Sequence, residues 1–199
     1  MPAQPVICTA LVLAAGRAQR FGSDKRLARL PSGHTLLATA LARAFDHFAD
    51  VHVVLRPGDD AQHLGIDPRA HIVRAEQAAL GMGASLATGV TALLQTQAQA
   101  VAVAVLLADM PWIAPGSLQT LCRQASAAHI VLPQYQGQRG HPVIFGRAFW
   151  PALAQLQGDQ GGRQVILDNP HACITVAVDD AGVVLDVDVP QALGLPMGH

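Results

Sequence analysis

Residues 9–25 read Thr9-Ala10-Leu11-Val12-Leu13-Ala14-Ala15-Gly16-Arg17-Ala18-Gln19-Arg20-Phe21-Gly22-Ser23-Asp24-Lys25. The first five residues are almost wholly apolar, the pattern of a strand covered on both faces of a parallel sheet. The strand then enters a loop of small residues. Such residues let backbone N–H groups approach an anion closely, and a turn of them forms an anion-binding nest. In that loop Arg20 offers phosphate a bidentate fork and Lys25 a mobile point charge.

The same alternation continues outward from this stretch. Strands are predicted over 9–13, 51–55, 71–74, 101–107, 130–132, 142–145, 174–178 and 183–186. Helices are predicted over 35–48, 84–95, 117–127, 151–156 and 162–167. Strand–helix–strand alternation predicts an α/β, three-layer Rossmann-like architecture with a mostly parallel central sheet and right-handed crossovers. The segment 137–145 reads as a hairpin or an added antiparallel piece. With no repeat, low-complexity linker or charge block, residues 1–199 are read as a single domain. In such sheets ligands bind beyond the carboxyl ends of the strands. Three polar clusters fall there: 16–25 after the first strand, the segment from Gly81 after the third, and Asp109 after the fourth.

Composition narrows the function. The chain of 199 residues is 51% hydrophobic and 14% charged, against about 25% charged for an ordinary soluble domain. This excludes disorder. A formal net charge of −1 without a basic run excludes a charge-driven nucleic-acid binder. Cys8, Cys122 and Cys173 are widely spaced in apolar surroundings, the pattern of buried hydrophobes in a reducing compartment and not of disulfides or a zinc knuckle. The apolar run 6–15 is short and lacks a charged leader, so a signal peptide and a membrane span both fit poorly. A cytoplasmic protein is expected.

Of 13 basic residues one is Lys, Lys25, and of 14 acidic residues one is Glu, Glu76. Codon bias in a GC-rich genome accounts for the scarcity. A lone lysine would fall within 16–25 by chance roughly one time in twenty, which shifts the reading of the loop away from a plain glycine-containing surface turn. Familiar phosphate loops fail on spacing. Gly22 is followed by Ser-Asp-Lys, not by the Lys-Ser/Thr of a Walker loop, and Gly16-Arg17-Ala18 breaks the dinucleotide fingerprint, which argues against an NAD-dependent oxidoreductase.

Four later segments carry chemistry. In 107–111, Leu-Ala-Asp-Met-Pro, Asp109 is either a hard oxygen ligand for Mg²⁺ or a turn cap. In 185–190 Asp186 and Asp188 point the same way if the segment is extended, to share a cation or to face solvent. Gly81-Met82-Gly83-Ala84-Ser85-Leu86 opens a helix whose free N–H groups suit an anion or a base edge, or which Ser85 caps. Arg139-Gly140-His141-Pro142 forms a compact cationic site suited to an acceptor phosphate. The run 158–163, Gly-Asp-Gln-Gly-Gly-Arg, reads equally as a loop with Asp159 capping.

Ala14-Ala15-Gly16, Arg20, Gly22 and Lys25 together resemble the signature loop of the MobA-like nucleotidyltransferases. Five segments from Ala14 to Pro190 follow that family's order, closest to its molybdenum cofactor cytidylyltransferase branch. Two departures stand out: Ala108 where the pattern has Gly, and Val189 where it has Thr. The resemblance implies transfer of CMP from CTP to the phosphate of molybdopterin, with release of pyrophosphate. It implies Arg20, Lys25 and Asp109 as catalytic residues, and Ala14, Ala15, Gly16, Gly22, Gly81, Gly83 and Ser85 around the nucleotide. Arg139, Gly140 and His141 then face the acceptor, and Asp109 and Asp188 hold Mg²⁺, with Mn²⁺ as a substitute. The partners it implies are CTP, the molybdopterin acceptor and transient contact with a molybdoenzyme or its chaperone, with no nucleic acid and no membrane. GTP, a sugar or isoprenoid phosphate acceptor, and an inactive nucleotide-binding protein are the rival readings.

Overall fold

A computed structural model describes residues 8–16, 21–96, 99–188 and 192–193. Its strands are β1 (Cys8–Leu13), β2 (Val51–Leu55), β3 (His71–Arg74), β4 (Ala102–Leu107), β5 (Ile130–Tyr135), β6 (Gln138–Arg139), β7 (Val143–Gly146) and β8 (Cys173–Ala177). The helices are α1 (Leu36–Phe45), α2 (Met82–Gln95), α3 (Pro115–Arg123), α4 (Trp150–Leu153) and α5 (Arg163–Asp168).

Alternation along the strands divides the core into two layers. Ala10, Val12 and Ala14 face Leu37, Leu41 and Leu121 on the side of α1 and α3. Leu11, Leu13 and Ala15 face Leu86, Val90, Leu93 and Trp150 on the side of α2 and α4. Each fully buried Leu or Val contributes roughly 1.5–3 kcal/mol, so both faces of β1 are committed to the interior. This is the expected three-layer α/β fold.

The sheet runs β3-β2-β1-β4-β7-β5-β6, with β8 also paired to β5. The pairs β1–β2, β1–β4, β2–β3 and β5–β8 are parallel, while β7 lies antiparallel between β4 and β5. The antiparallel piece expected over 137–145 is thus β6 and β7, folded back from β5. Its register slips midway: Gln134 faces Arg139, but Val131 faces Ile144. Three steps on β5 match five on the returning chain, and the surplus forms a bulge at Gly140-His141-Pro142. The His141–Pro142 peptide is cis.

The strand predicted over 183–186 is absent. Residues Ala181–Val183 form a 3₁₀ turn, and 185–188 run as irregular chain. Their backbone groups bond singly to loops and build no ladder. His141 N donates to Val183 O at 2.7 Å, and Val187 N donates to Asp109 O at 3.0 Å. Asp180 anchors the start of this strap, accepting from Ala114 N at 2.8 Å and Gly182 N at 2.9 Å. Its apolar anchor is Val187, buried with Leu30 and Leu36.

The strap crosses the bulge at Gly140, where a Cβ would lie 2.0 Å from Val183 O. That obstacle is backbone, which cannot swing aside. Gly140→Ala is expected to destabilise the protein by about 1–3 kcal/mol, as overpacking in a fixed site does; urea unfolding of the two proteins measures it.

Candidate active site

The site lies at the carboxyl ends of β1 and β4. Ala108 N donates to Leu13 O at 3.1 Å, holding the two strand ends together, and the chain then turns with Met110 N donating to Leu107 O at 3.2 Å. Asp109 is thereby carried just past the sheet. Lys25 sits on a 3₁₀ turn (Lys25–Leu27) capped by Asp24, whose carboxylate accepts from Arg26 N at 3.1 Å. Lys25 Nζ donates to Asp109 Oδ2 at 2.6 Å, to Asp188 Oδ1 at 3.2 Å and to Val187 O at 3.3 Å. Three segments far apart in the chain meet on one ammonium. Burial works against its charge, but the two carboxylates more than offset that and hold it above its ordinary value. Asp186 is pushed above 3.8, first by burial and then by Asp188 and Asp109.

Two cavities adjoin at this point and share Leu13, Met82 and Leu107 as a wall. The first, about 390 Å³, is lined by Ala14, Ala15, Gly16, Lys25, Gly81, Ser85 and Asp109, among others. The second, about 480 Å³, includes Arg139, Gly140, His141 and Arg163 against an apolar wall of Leu86, Val105, Phe145 and Ile166. Both are of a size that suits a small organic ligand. The oxygens around Lys25, two from carboxylates and one from the Val187 carbonyl, are all hard and converge on one cation, a set that fits Mg²⁺ or Mn²⁺.

Most residues singled out in the sequence therefore meet in one place. Arg20 lies outside the described residues, as do Val189 and Pro190. Gly22 is exposed, with φ +76°, and belongs to neither cavity lining. Gly83 also lies off the cleft lining. Its N–H donates to Gly158 O at 2.8 Å, and its Cα packs against residues 157–158, so its amide is already occupied. Gly81 is the residue that faces the cleft. Its φ of +122° and a Cβ that would fall 2.5 Å from Gly158 O leave room for glycine alone. Ser85 is no cap: its hydroxyl donates to Gly81 O at 3.3 Å from within the helix.

His141 corrects the expected cationic pair. One ring nitrogen meets the Val105 carbonyl, and Nδ1 is buried without a partner. Burial pushes the imidazole below 6.5, against the pull of Val105, Asp109 and Asp186, so it is neutral at pH 7. The positive charge at the second cavity comes from Arg139 and Arg163.

Sequence reading missed Arg26. Its side chain is 5% exposed. It donates to Ala14 O at 2.9 Å, to Asp24 Oδ1 at 2.8 Å and Oδ2 at 2.6 Å, and to both oxygens of Asp59. Arg56 closes the cluster, reaching Asp24 at 2.8 Å and Asp59 at 3.1 Å. This buried network ties the turn bearing Lys25 to the end of β1. In the sequence Arg26 is one more arginine of a loop, and its carboxylate partner Asp59 is 33 residues away. Asp159, read as a capping residue, also lines the first cavity.

Comparison with known proteins points one way. The family model for the MobA-like NTP transferase domain matches residues 10–173. The purine catabolism protein PucB of Bacillus subtilis is 27% identical over 188 residues, 90% of each chain. A probable molybdenum cofactor guanylyltransferase of Chloroflexus aggregans is 32% identical over 130 residues, 64% of this chain and 58% of its own length. The crystal structure of Rv0371c from Mycobacterium tuberculosis in complex with manganese superposes with a TM-score of 0.72, at 26% identity over 94% of this chain and 93% of that one.

The raised Asp186 gives a test of the carboxylate cluster. A carboxyl whose native pKa is raised costs stability once ionised. Asp186→Asn should therefore stabilise the metal-free protein at pH 7. The gain should grow as pH rises from 3.8 through the raised native value, stay level above it and vanish below 3.8. Urea unfolding of wild type and variant across that range, in chelator, checks the sign.

Proposed function

Because the chain belongs to the MobA-like NTP transferase domain family, a family of nucleotidyltransferases, we propose that it transfers CMP from CTP to the phosphate of molybdopterin and releases pyrophosphate. The observation that carries this reading is the meeting of Lys25, Asp109 and Asp188 at the first of two adjoining cavities, which Lys25 and Asp109 line. One cavity takes the nucleotide and the other the acceptor, so the attacking phosphate and the α-phosphorus are brought face to face. In-line attack then breaks the bond to pyrophosphate. Positioning and charge neutralisation supply the catalysis, and no protein nucleophile is needed.

Each residue has a part. Ala14, Ala15 and Gly16 offer the triphosphate a close backbone approach, and Gly81 and Ser85 border the ribose and base. Lys25, with Arg20 of the same loop, balances the charge that develops on the leaving pyrophosphate. Arg139 and Arg163 draw the acceptor phosphate, and His141, turned into the protein toward Val105, shapes the cavity wall beside them. Asp109 and Asp188 would hold a divalent cation, which when bound neutralises phosphate oxygens. The whole chain, 1–199, acts as one such domain in the cytoplasm. Exposed Leu80, Met82 and Leu167 near the two cavities offer a recipient molybdoenzyme or its chaperone a transient apolar contact. Among the described residues no helix is long and apolar enough to cross a membrane.

Ala15, where guanylyl enzymes of the family resemble one another in having a second glycine, and the Gly140-His141-Pro142 segment favour CTP. The similarity to a probable guanylyltransferase favours GTP as the second reading. A pyrophosphate-release assay with molybdopterin, Mg²⁺ and each of CTP, GTP, ATP and UTP decides between them. CTP is expected to lead; GTP in front would move the protein to the guanylyl branch, and no release with any nucleotide would end the enzyme reading. In the same assay Lys25→Ala should lower turnover at least about tenfold, since a lost phosphate contact in the transition state is worth about 1.4 kcal/mol or more.

A further inference from the structure

At the opposite end of the sheet from the cleft, β2 and β3 begin side by side. Residues two apart on a strand face the same way, and register partners on neighbouring strands share a face. Asp50 and His52 are two apart, and His52 pairs directly with His71. Backbone geometry alone thus gathers one carboxylate and two imidazoles. His52 Nε2 lies 3.1 Å from Asp50 Oδ1, and His71 Nε2 lies 3.5 Å from the same oxygen. The two rings stack with centroids 4.8 Å apart and planes 28° from parallel. One ligand atom from each residue falls within 4.8 Å of the other two.

The surroundings hold this set in place. Thr9 Oγ1 donates to Asp50 Oδ2 at 2.8 Å, which fixes the carboxylate with both oxygens near His52 Nε2, Oδ1 at 3.1 Å and Oδ2 at 3.2 Å. His52 is 7% exposed, so packing holds its ring with Nε2 toward Asp50. His71 is 65% exposed and leaves the outer side open to solvent. Two ligand atoms bound to a tetrahedral ion at about 2.1 Å each stand about 3.4 Å apart. The two separations from Asp50 Oδ1 bracket that value. An imidazole-rich set of this kind suits zinc and its late first-row neighbours, whereas magnesium and calcium require oxygen.

We propose that Asp50, His52 and His71 bind a divalent cation of the zinc class, with solvent in the fourth position. The ion staples β3, an edge strand that among the described residues pairs with β2 alone, to the body of the sheet. The site is independent of the catalytic carboxylates: Thr9 and Ala14 are five residues apart along the same strand direction, roughly 16 Å.

Zn²⁺ titrated into the full-length protein, with excess Mg²⁺ present, tests this by calorimetry and by thermal unfolding. One Zn²⁺ per chain should bind and raise the unfolding temperature. His71→Ala, at an exposed position that the fold does not need, should weaken binding by at least about tenfold, as the loss of a ligand does, and remove the thermal shift. Asp109→Asn with Asp188→Asn should leave both unchanged. With Co²⁺ as the probe, tetrahedral absorption bands should appear in wild type and be lost in His71→Ala. Failure of Zn²⁺ to bind, equal binding by His71→Ala, or loss of binding in the Asp109 and Asp188 variant would each overturn the proposal.

Discussion

Three carboxylates gathered at one end of a sheet need a cation, and Lys25 supplies it. Like charges about 4 Å apart repel by about 4 kcal/mol at the effective dielectric of a protein surface. Asp109, Asp186 and Asp188 could not be assembled on electrostatics alone. Backbone hydrogen bonds bring them there, from Ala108 to Leu13 and from Val187 to Asp109, and the ammonium makes the assembly tolerable. The pair with half-exposed Asp188 is itself worth at most about 1 kcal/mol. Its importance is positional: it registers the strap against the loop after β1. Behind it, the Arg26 cluster fixes the turn from which Lys25 reaches out.

The antiparallel insertion makes the second half of the site. A purely parallel sheet would place a strand with its carboxyl end beside that of β4. Instead β7 starts at the cleft end and runs back antiparallel to β4, and the bulge that precedes it lies at the level of Asp109. Gly140 and His141 are thereby brought beside the first cavity by a slip of register and not by a long loop. The strap over Gly140 then links the two cavities mechanically, since the chain that touches the bulge at Val183 also delivers Asp188.

What the sequence made legible follows from what each signal measures. Runs of apolar and β-branched residues announce strands, so β2 and β3 fall on their expected residues and β1, β4, β7 and β8 within a residue at either end. The two-residue β6 is too short to show alternation. The segment 183–186 has strand-like composition but lies across the Gly140 bulge, where its backbone bonds singly to loops. At the site, Lys25 stood out as the one lysine of the chain, Asp109 as a carboxylate directly after an apolar run, and Asp188 by its alternation with Asp186. Gly83 and His141 were misjudged for a common reason: sequence shows residue type but not what already occupies an amide or what surrounds an imidazole. Arg26 left no trace, because a buried arginine is defined by partners distant in the chain. The zinc-class set was hidden likewise, since His52 and His71 become neighbours only through strand register.

The scarcity of lysine has one further consequence. The chain carries one side-chain amine, and it stands between two carboxylates inside the cleft. Amine-directed acylation and cross-linking therefore address no other side chain. Only the deprotonated amine is nucleophilic, and Asp109 and Asp188 keep Lys25 protonated. The rate at which that nitrogen is acylated is thus a direct gauge of how firmly the two carboxylates hold it, a reporter built into the protein by its own composition.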